Sequence, residues 1–215
     1  SFSQVSIGAY KLGTMIKVSE ELLNDSVFDL ESYISREFAR RIGAAEEEAF
    51  FTGNGTGKPT GLLHTTGGAE VGVTTKSATA LTFDEVMDLF YSLRVPYRRS
   101  AVFLTNDATM KALRQLKNGN GDYIWQPSVT AGTPDTILNR PVYTSTFMPT
   151  IAAGANAMVF GDMNYYWIAD REGRKFQRLN ELYAPTGQVG FLASQRVDGK
   201  LILPEAVKVL QMKAA

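Results

Sequence analysis

The chain has 215 residues, 44% of them hydrophobic and 20% charged, enough to bury one large core or two small ones. Lysine plus arginine and aspartate plus glutamate number 22 each, so there is no global basic field for nucleic acid or an anionic membrane. No cysteine is present, which excludes disulfides, thiolate catalysis and cysteine metal sites, and no apolar run nears the roughly 20 residues of a spanning helix.

Residues 1–13 are polar and spotted with glycine, with Val5 and Ile7 alternating, and read as the tail of an extended arm. The start has neither an initiator methionine nor a signal-peptide pattern, which suggests a processed chain or a fragment. Residues 14–18 predict a short strand and 19–24 a helical turn. The dominant feature follows. Leu30, Ile34, Phe38, Ile42, Ala45 and Ala49 recur every three or four positions, the period of one helical face, and predict a long helix over 28–52. Asp29 and Glu31 suit its start, where the helix carries partial positive charge. The glycines of 53–57 end it, since glycine accepts the left-handed conformation a helix end often needs.

After Gly61 a Gly/Thr-rich loop contains a weak strand at 70–74. Thr82 and Glu85 form a capping box, with Leu81 and Val86 as its hydrophobic staple, opening a helix over 83–93. Residues 95–99 read as a loop, 101–105 as a buried strand, and Asn106 caps a helix over 107–117. This helix–strand–helix order indicates an α/β layer. A break at 118–122 leads to a loop-rich stretch with a turn at Gly132-Thr-Pro134. Strands follow at 140–144 and 157–161, then a strand pair, 165–169 and 175–179, turned at Arg171-Glu-Gly173-Arg174. Residues 188–197 form a long strand stopped by Asp198-Gly199. Pro204 precedes a last strand at 206–212, which should join the sheet of 101–105.

Catalytic patterns are missing. His64 is the only histidine, so neither a triad nor a zinc site is expected from this chain. The run Gly53-Asn-Gly-Thr-Gly57-Lys58-Pro59 resembles a phosphate loop only loosely. It has one residue too few before Gly-Lys, a proline after the lysine, and it ends a helix instead of opening one. A nucleotide-binding enzyme built on Gly53–Gly61 is kept only as an alternative of another class.

Glu46, Glu47 and Glu48 stand near the end of the long helix, where the dipole disfavours anions. They read either as a solvated face or as contacts to basic groups of another chain. In the second case, changing all three to glutamine impairs assembly while the isolated subunit melts no lower. Arg40, Arg41, Arg98 and Arg99 are further candidate inter-subunit residues.

Several motifs together resemble the phage major capsid proteins of the Hong Kong ninety-seven fold. They are Lys17-Val-Ser-Glu-Glu-Leu-Leu-Asn-Asp25, the stretch from Ala44 to Leu62 around Glu46-Glu-Glu48 and Gly53-Asn-Gly-Thr-Gly57, and Phe103-Leu-Thr-Asn106. Leu116 to Ile124, Gly161-Asp-Met-Asn-Tyr-Tyr166, Arg196-Val-Asp-Gly-Lys200 and Pro204-Glu-Ala206 complete the set. The resemblance implies an α+β fold. Its peripheral domain (14–77 and 162–199) carries the spine helix and a long-stranded antiparallel sheet. Its axial α/β domain covers 78–161 and 200–215, and 1–13 is the remnant of an extended loop.

The resemblance also implies function. The chain would be a structural head protein, not an enzyme, assembling with itself as pentamers and hexamers in an icosahedral shell. Portal and scaffold proteins are implied partners, with packaged DNA nearby. Membrane, metal and cofactor are not expected. The place is the virion, and the host cytoplasm during assembly. An encapsulin-like compartment is the alternative within the fold. The family's Lys–Asn cross-link is not carried over, because Tyr183-Ala-Pro-Thr-Gly187 offers no asparagine and 189–196 no glutamate. Without the reaching arms, the 215-residue chain alone is expected as a monomer or small oligomer.

Overall fold

The structure is a computed structural model and describes residues 5–27, 29–117, 119–125 and 135–215. Phe28, expected to start the long helix, and the turn at Gly132-Thr-Pro134 lie outside the described residues. The chain divides into two compact units. Unit 1 comprises Ser1–Thr60 and Ile168–Lys200, and unit 2 comprises Gly61–Trp167 and Leu201–Ala215.

Unit 1 packs one long helix against a sheet. Strand β1 (Tyr10–Ser19) leads into the short helix α1 (Glu20–Asp25) and then α2 (Leu30–Thr52). Asp29 caps α2 by accepting from the Ser32 N–H at 3.1 Å, which fixes where the long helix begins. Strands β7 (Tyr166–Leu179) and β8 (Gln188–Leu201) complete a sheet in the order β1-β8-β7. β1 and β8 are antiparallel, with Ile16 opposite Phe191 and Val18 opposite Val189. Side chains alternate across a strand, so these pairs share one face. There Val18, Val189, Phe191 and Ala193 meet Ile34, Phe38 and Ile42 of α2, the stripe that the helical period predicted. Phe176 of β7 stacks on Phe191 at 5.8 Å between ring centres and touches Phe38 at 6.1 Å.

Two expected turns of unit 1 are not turns. β7 runs straight through Arg171–Arg174, although Glu172 and Gly173 have φ of 70° and 61°. The pair makes a local kink in a strand that pairs with β8, so a reversal gives way to a bulge-like irregularity. β8 likewise continues through Asp198-Gly199 to Leu201. Asp198 is held there by accepting from the Gly8 N–H at 2.5 Å, and the Gly199 carbonyl accepts from the Thr60 N–H at 3.1 Å.

Unit 2 is a six-stranded mixed sheet with helices. Its strands are β2 (Glu70–Thr74), β3 (Val102–Thr105), β4 (Thr136–Ile137), β5 (Arg140–Thr144), β6 (Asn156–Gly161) and β9 (Val207–Gln211). They lie in the order β2-β9-β6-β3-β5-β4. β9 is therefore in the sheet of β3, as its alternation and the Pro204 break led us to expect, with β6 between them. β2 pairs parallel with β9, which draws the loop after Gly61 into unit 2, and this unit begins at Gly61.

Helices α3 (Phe83–Ser92), α4 (Val95–Arg98) and α5 (Asp107–Arg114) are the other layer. α4 occupies what read as a loop, with Pro96 in its first turn, where proline is tolerated. α5 is shorter than expected, ending at Arg114. The core is aromatic and aliphatic. Phe103 and Phe160 stack at 4.2 Å, Phe90 joins Phe160 at 5.2 Å, and Val86, Leu89, Leu93 and Leu210 are fully buried around them.

The Thr82/Glu85 capping box is present, and Glu85 does more than cap. It is buried, and its Oε1 accepts from the Lys76 N–H at 2.7 Å while Oε2 accepts from the Thr82 N–H at 2.8 Å. Burial by itself would raise this carboxyl, but the backbone N–H groups of Lys76 and Thr82 outweigh it and hold it below its usual range. A depressed folded-state value contributes stability that is complete above the unfolded value, about 4.3 for glutamate, and is lost as pH falls further. Glu85→Gln should therefore flatten the acid limb of unit 2's stability profile in melts from pH 7 to pH 3. At neutral pH it should cost about 1–3 kcal/mol, because an amide NH₂ would face a backbone donor.

Candidate subunit-contact site

The residues singled out as candidate contacts fall into three settings. Glu46 is 9% exposed and turns inward within unit 1. Its Oε2 meets Arg174 of β7 at 3.1 Å. Arg174 Nε donates to Gln195 Oε1 at 2.9 Å, and Gln195 Nε2 donates to Asp170 Oδ2 at 3.1 Å. A polar chain thus runs from α2 across β7 and β8. Glu46 Oε1 has no hydrogen-bond partner among the described residues. Glu47 and Glu48 are exposed on the helix.

Arg40 and Arg41 both turn to Glu37, at 2.6 and 3.0 Å, on the exposed side of α2. Their hydrogen bonds hold the Glu37 carboxyl down to about 2. The pairs are at helical i, i+3 and i, i+4 spacing and need no second chain. Arg98 is used locally in unit 2. It donates to the carbonyls of Leu93 at 2.6 Å and Tyr91 at 2.8 Å and lies over the Phe90 ring at 5.3 Å. Arg99 is exposed, and its carbonyl accepts from Arg140.

The structure thus brings Glu46 together with Arg174, Gln195 and Asp170, none of which the sequence reading marked. Gln195 could have been found. It interrupts the inward alternation Val189, Phe191, Ala193, Val197 with a buried amide, and a buried polar side chain needs a partner.

The internal pairing of Glu46 separates its role from that of its neighbours. Arg174→Leu should lower unit 1's stability by about 1–3 kcal/mol, since a buried carboxylate is left without its cation. Solvent at the half-exposed guanidinium keeps this below the loss for a fully buried pair. Glu46→Gln should shift stability by less than about 1 kcal/mol, and Glu47→Gln with Glu48→Gln by less still. Thermal melts by circular dichroism distinguish the three.

Beside this chain lies a cleft of about 190 Å³ lined by Tyr10, Leu12, Ala45, Glu46, Lys58 and Val197, among others. The glycine loop forms its rim. Asn54 bridges Thr60, the Gly55 N–H donates to the Pro59 carbonyl at 3.2 Å, and the Tyr10 hydroxyl donates to the Gly55 carbonyl at 2.9 Å. This loop follows the C-terminal end of α2, where the free groups are carbonyls, the opposite polarity to a phosphate-binding helix start. His64 is half-buried in its own loop, with Nδ1 2.8 Å from the Thr66 carbonyl. Among the described residues no group of three His, Asp or Glu is placed to hold a metal ion, and no helix is long and apolar enough to cross a membrane.

Comparison with known proteins agrees with the architecture. The chain superposes on the capsid of the empty GTA particle with a TM-score of 0.88 and 35% identity, over 98% of this chain and 75% of that one. It superposes on a chain from Gordonia phage Cozz with a TM-score of 0.70 and 12% identity, over 97% and 71%. The holo-SrpI encapsulin complex from Synechococcus elongatus PCC 7942 gives 0.70 and 15%, over 94% and 73%. At such identities the last two share the fold alone. A 63-residue stretch is 32% identical to the major capsid protein of Escherichia phage T5, spanning 29% of this chain and only 14% of that protein's length. The sequence model of the phage capsid family matches residues 1–212, nearly end to end. With the family model covering nearly the whole chain, this chain belongs to the phage capsid family.

Proposed function

We propose that this chain is the folded body of a major capsid, or head, protein that self-assembles into the icosahedral shell of a tailed double-stranded DNA phage or prophage. The family match across residues 1–212 carries the reading. In it, unit 1 is the peripheral domain with α2 as its spine, and unit 2 is the axial domain. Pentamers and hexamers of the chain make the shell, in the virion and, during assembly, in the host cytoplasm. Its work is structural and not catalytic. Portal and scaffold proteins meet its edges, and DNA lies near its inner surface. Glu48 and Arg99, exposed on their units, are candidate contacts to a neighbour.

Electron microscopy of the full-length protein after expression tests the reading. Closed shells are the expected product. A soluble species that never assembles would overturn it, and shells that hold a protein cargo and exclude DNA would move the chain to the encapsulin-like alternative.

A further inference from the structure

The three-stranded sheet of unit 1 packs one of its faces and leaves part of the other open. α2 covers the side of Val18, Phe191 and Ala193, while on the other side Tyr183 lies over Gly190, Met15 and Lys17 and the end around Lys11 and Arg196 lines an open groove. On that open face Lys11 of β1 stands directly opposite Arg196 of β8, and β7 adds Arg171 and Lys175. Like charges opposed across strands are destabilising. Among the residues lining this shallow groove, Glu172 is the one carboxylate, 3.0 Å from Lys175 and 3.5 Å from Arg196. Lys11 and Arg171 are exposed and meet no carboxylate among the described residues. The face is left with unneutralised positive charge.

The same chain carries the complement. α1 holds Glu20, Glu21 and Asp25, has no basic residue in its last turn and buries none of its residues. These three carboxylates meet no cation among the described residues. Between them Leu22 is 55% exposed, and Leu192 lies in the basic groove. α1 leaves β1 at Ser19, whereas Lys11 is near the strand's other end, about 26 Å away at ~3.3 Å per residue. The two patches cannot meet within one chain.

We propose that the acidic α1 of one copy docks in the basic sheet groove of the next, its carboxylates on Lys11 and Arg171 and Leu22 against Leu192. Unlike patches joined head to tail close into rings when the rotation permits, which is the geometry a pentamer or hexamer requires. The contact therefore rests on the shell reading above. A polyphosphate is the poorer occupant. Glu172 sits among the cations and would repel phosphate, and the chain as a whole has no net positive charge.

The experiment is assembly of the full-length protein, scored by sedimentation and electron microscopy. Groove reversal (Lys11→Glu with Arg171→Glu) and α1 reversal (Glu21→Lys with Asp25→Lys) should each lower shell yield about tenfold or more, since like-charge juxtaposition opposes docking. All four changes in one chain should restore it. The altered side chains are exposed, and a melt by circular dichroism shows that each subunit folds. The milder Lys11→Gln with Arg171→Gln should give a smaller loss of the same sign. Failure of the fourfold variant to recover would overturn the contact. So would a groove reversal that assembles normally but loses DNA, which would assign the face to nucleic acid. If the unmodified protein does not assemble, the shell reading itself fails and this contact with it.

Discussion

Phe160→Ala is expected to destabilise unit 2 by about 3–5 kcal/mol, the range for emptying a buried aromatic site. Phe160 lies on β6, near the middle of the six-stranded sheet, and is fully buried. It stacks on Phe103 and on Phe90, so its removal strands two further rings beside a cavity. β6 has little freedom to collapse into that space, because β9 and β3 hydrogen-bond it on both sides. Against a typical total of about 5–15 kcal/mol, the loss would leave unit 2 marginal. Trp125 packs against the core of unit 2, whereas Trp167 stands on β7 at the boundary with unit 1, so intrinsic fluorescence in a Trp167→Phe background during urea titration reads this transition. A loss under about 1 kcal/mol would mean that the ring cluster is not the core of the sheet.

Gly53→Ala should have the next largest effect, and for a different reason. Gly53 ends α2 with φ −59° and ψ 145°, a conformation open to any residue, and the left-handed glycines of this turn are Gly55 and Gly57, with φ of 74° and 70°, so backbone conformation is not why glycine stands at 53. Space is the reason. A Cβ would sit 2.1 Å from the Pro59 carbonyl oxygen and 2.4 Å from that of Ala49. Both are backbone atoms and cannot rotate away. The loop 53–60 would have to open, breaking the Asn54 bridge to Thr60 and the rim of the cleft. The expected cost is at or above the upper end of the usual about 1–3 kcal/mol for overpacking. Faster amide exchange over residues 53–60 would accompany it. Gly43→Ala is the control. It lies within the same helix with nothing within 4 Å of its Cβ position, and should stabilise by about 0.5–1 kcal/mol. Equal effects of the two substitutions would refute the steric account.

Helices were legible in the chain because their signals are local. The stripe Leu30, Ile34, Phe38, Ile42 predicted both the length of α2 and the face it buries. Thr82 with Glu85, and Asn106, marked helix starts that the structure reproduces. Family resemblance was legible too, since its motifs are contiguous stretches. The glycine and turn signals misled. Gly173 and Gly199 were read as ends of strands, yet β7 and β8 continue through them because partners on the sheet and the contacts of Asp198 override a local preference. The short helix α4 was missed for want of length, since four residues carry no period.

The candidate contacts show the same division. The sequence placed Glu46, Glu47 and Glu48 side by side and marked them as one acidic feature. A helix turns by about 100° per residue, so three consecutive side chains cannot share one environment. Composition, periodicity and caps determined that this is a helix-plus-sheet chain, because each such property is written within a few neighbouring residues. Only the tertiary structure decided that Glu46 faces Arg174, 128 positions away, while Glu47 and Glu48 face solvent. It likewise decided that β2 closes on β9, and that Lys11 stands opposite Arg196. Those pairings depend on which strands become neighbours, and a strand's own residues specify its alternation but not its partner.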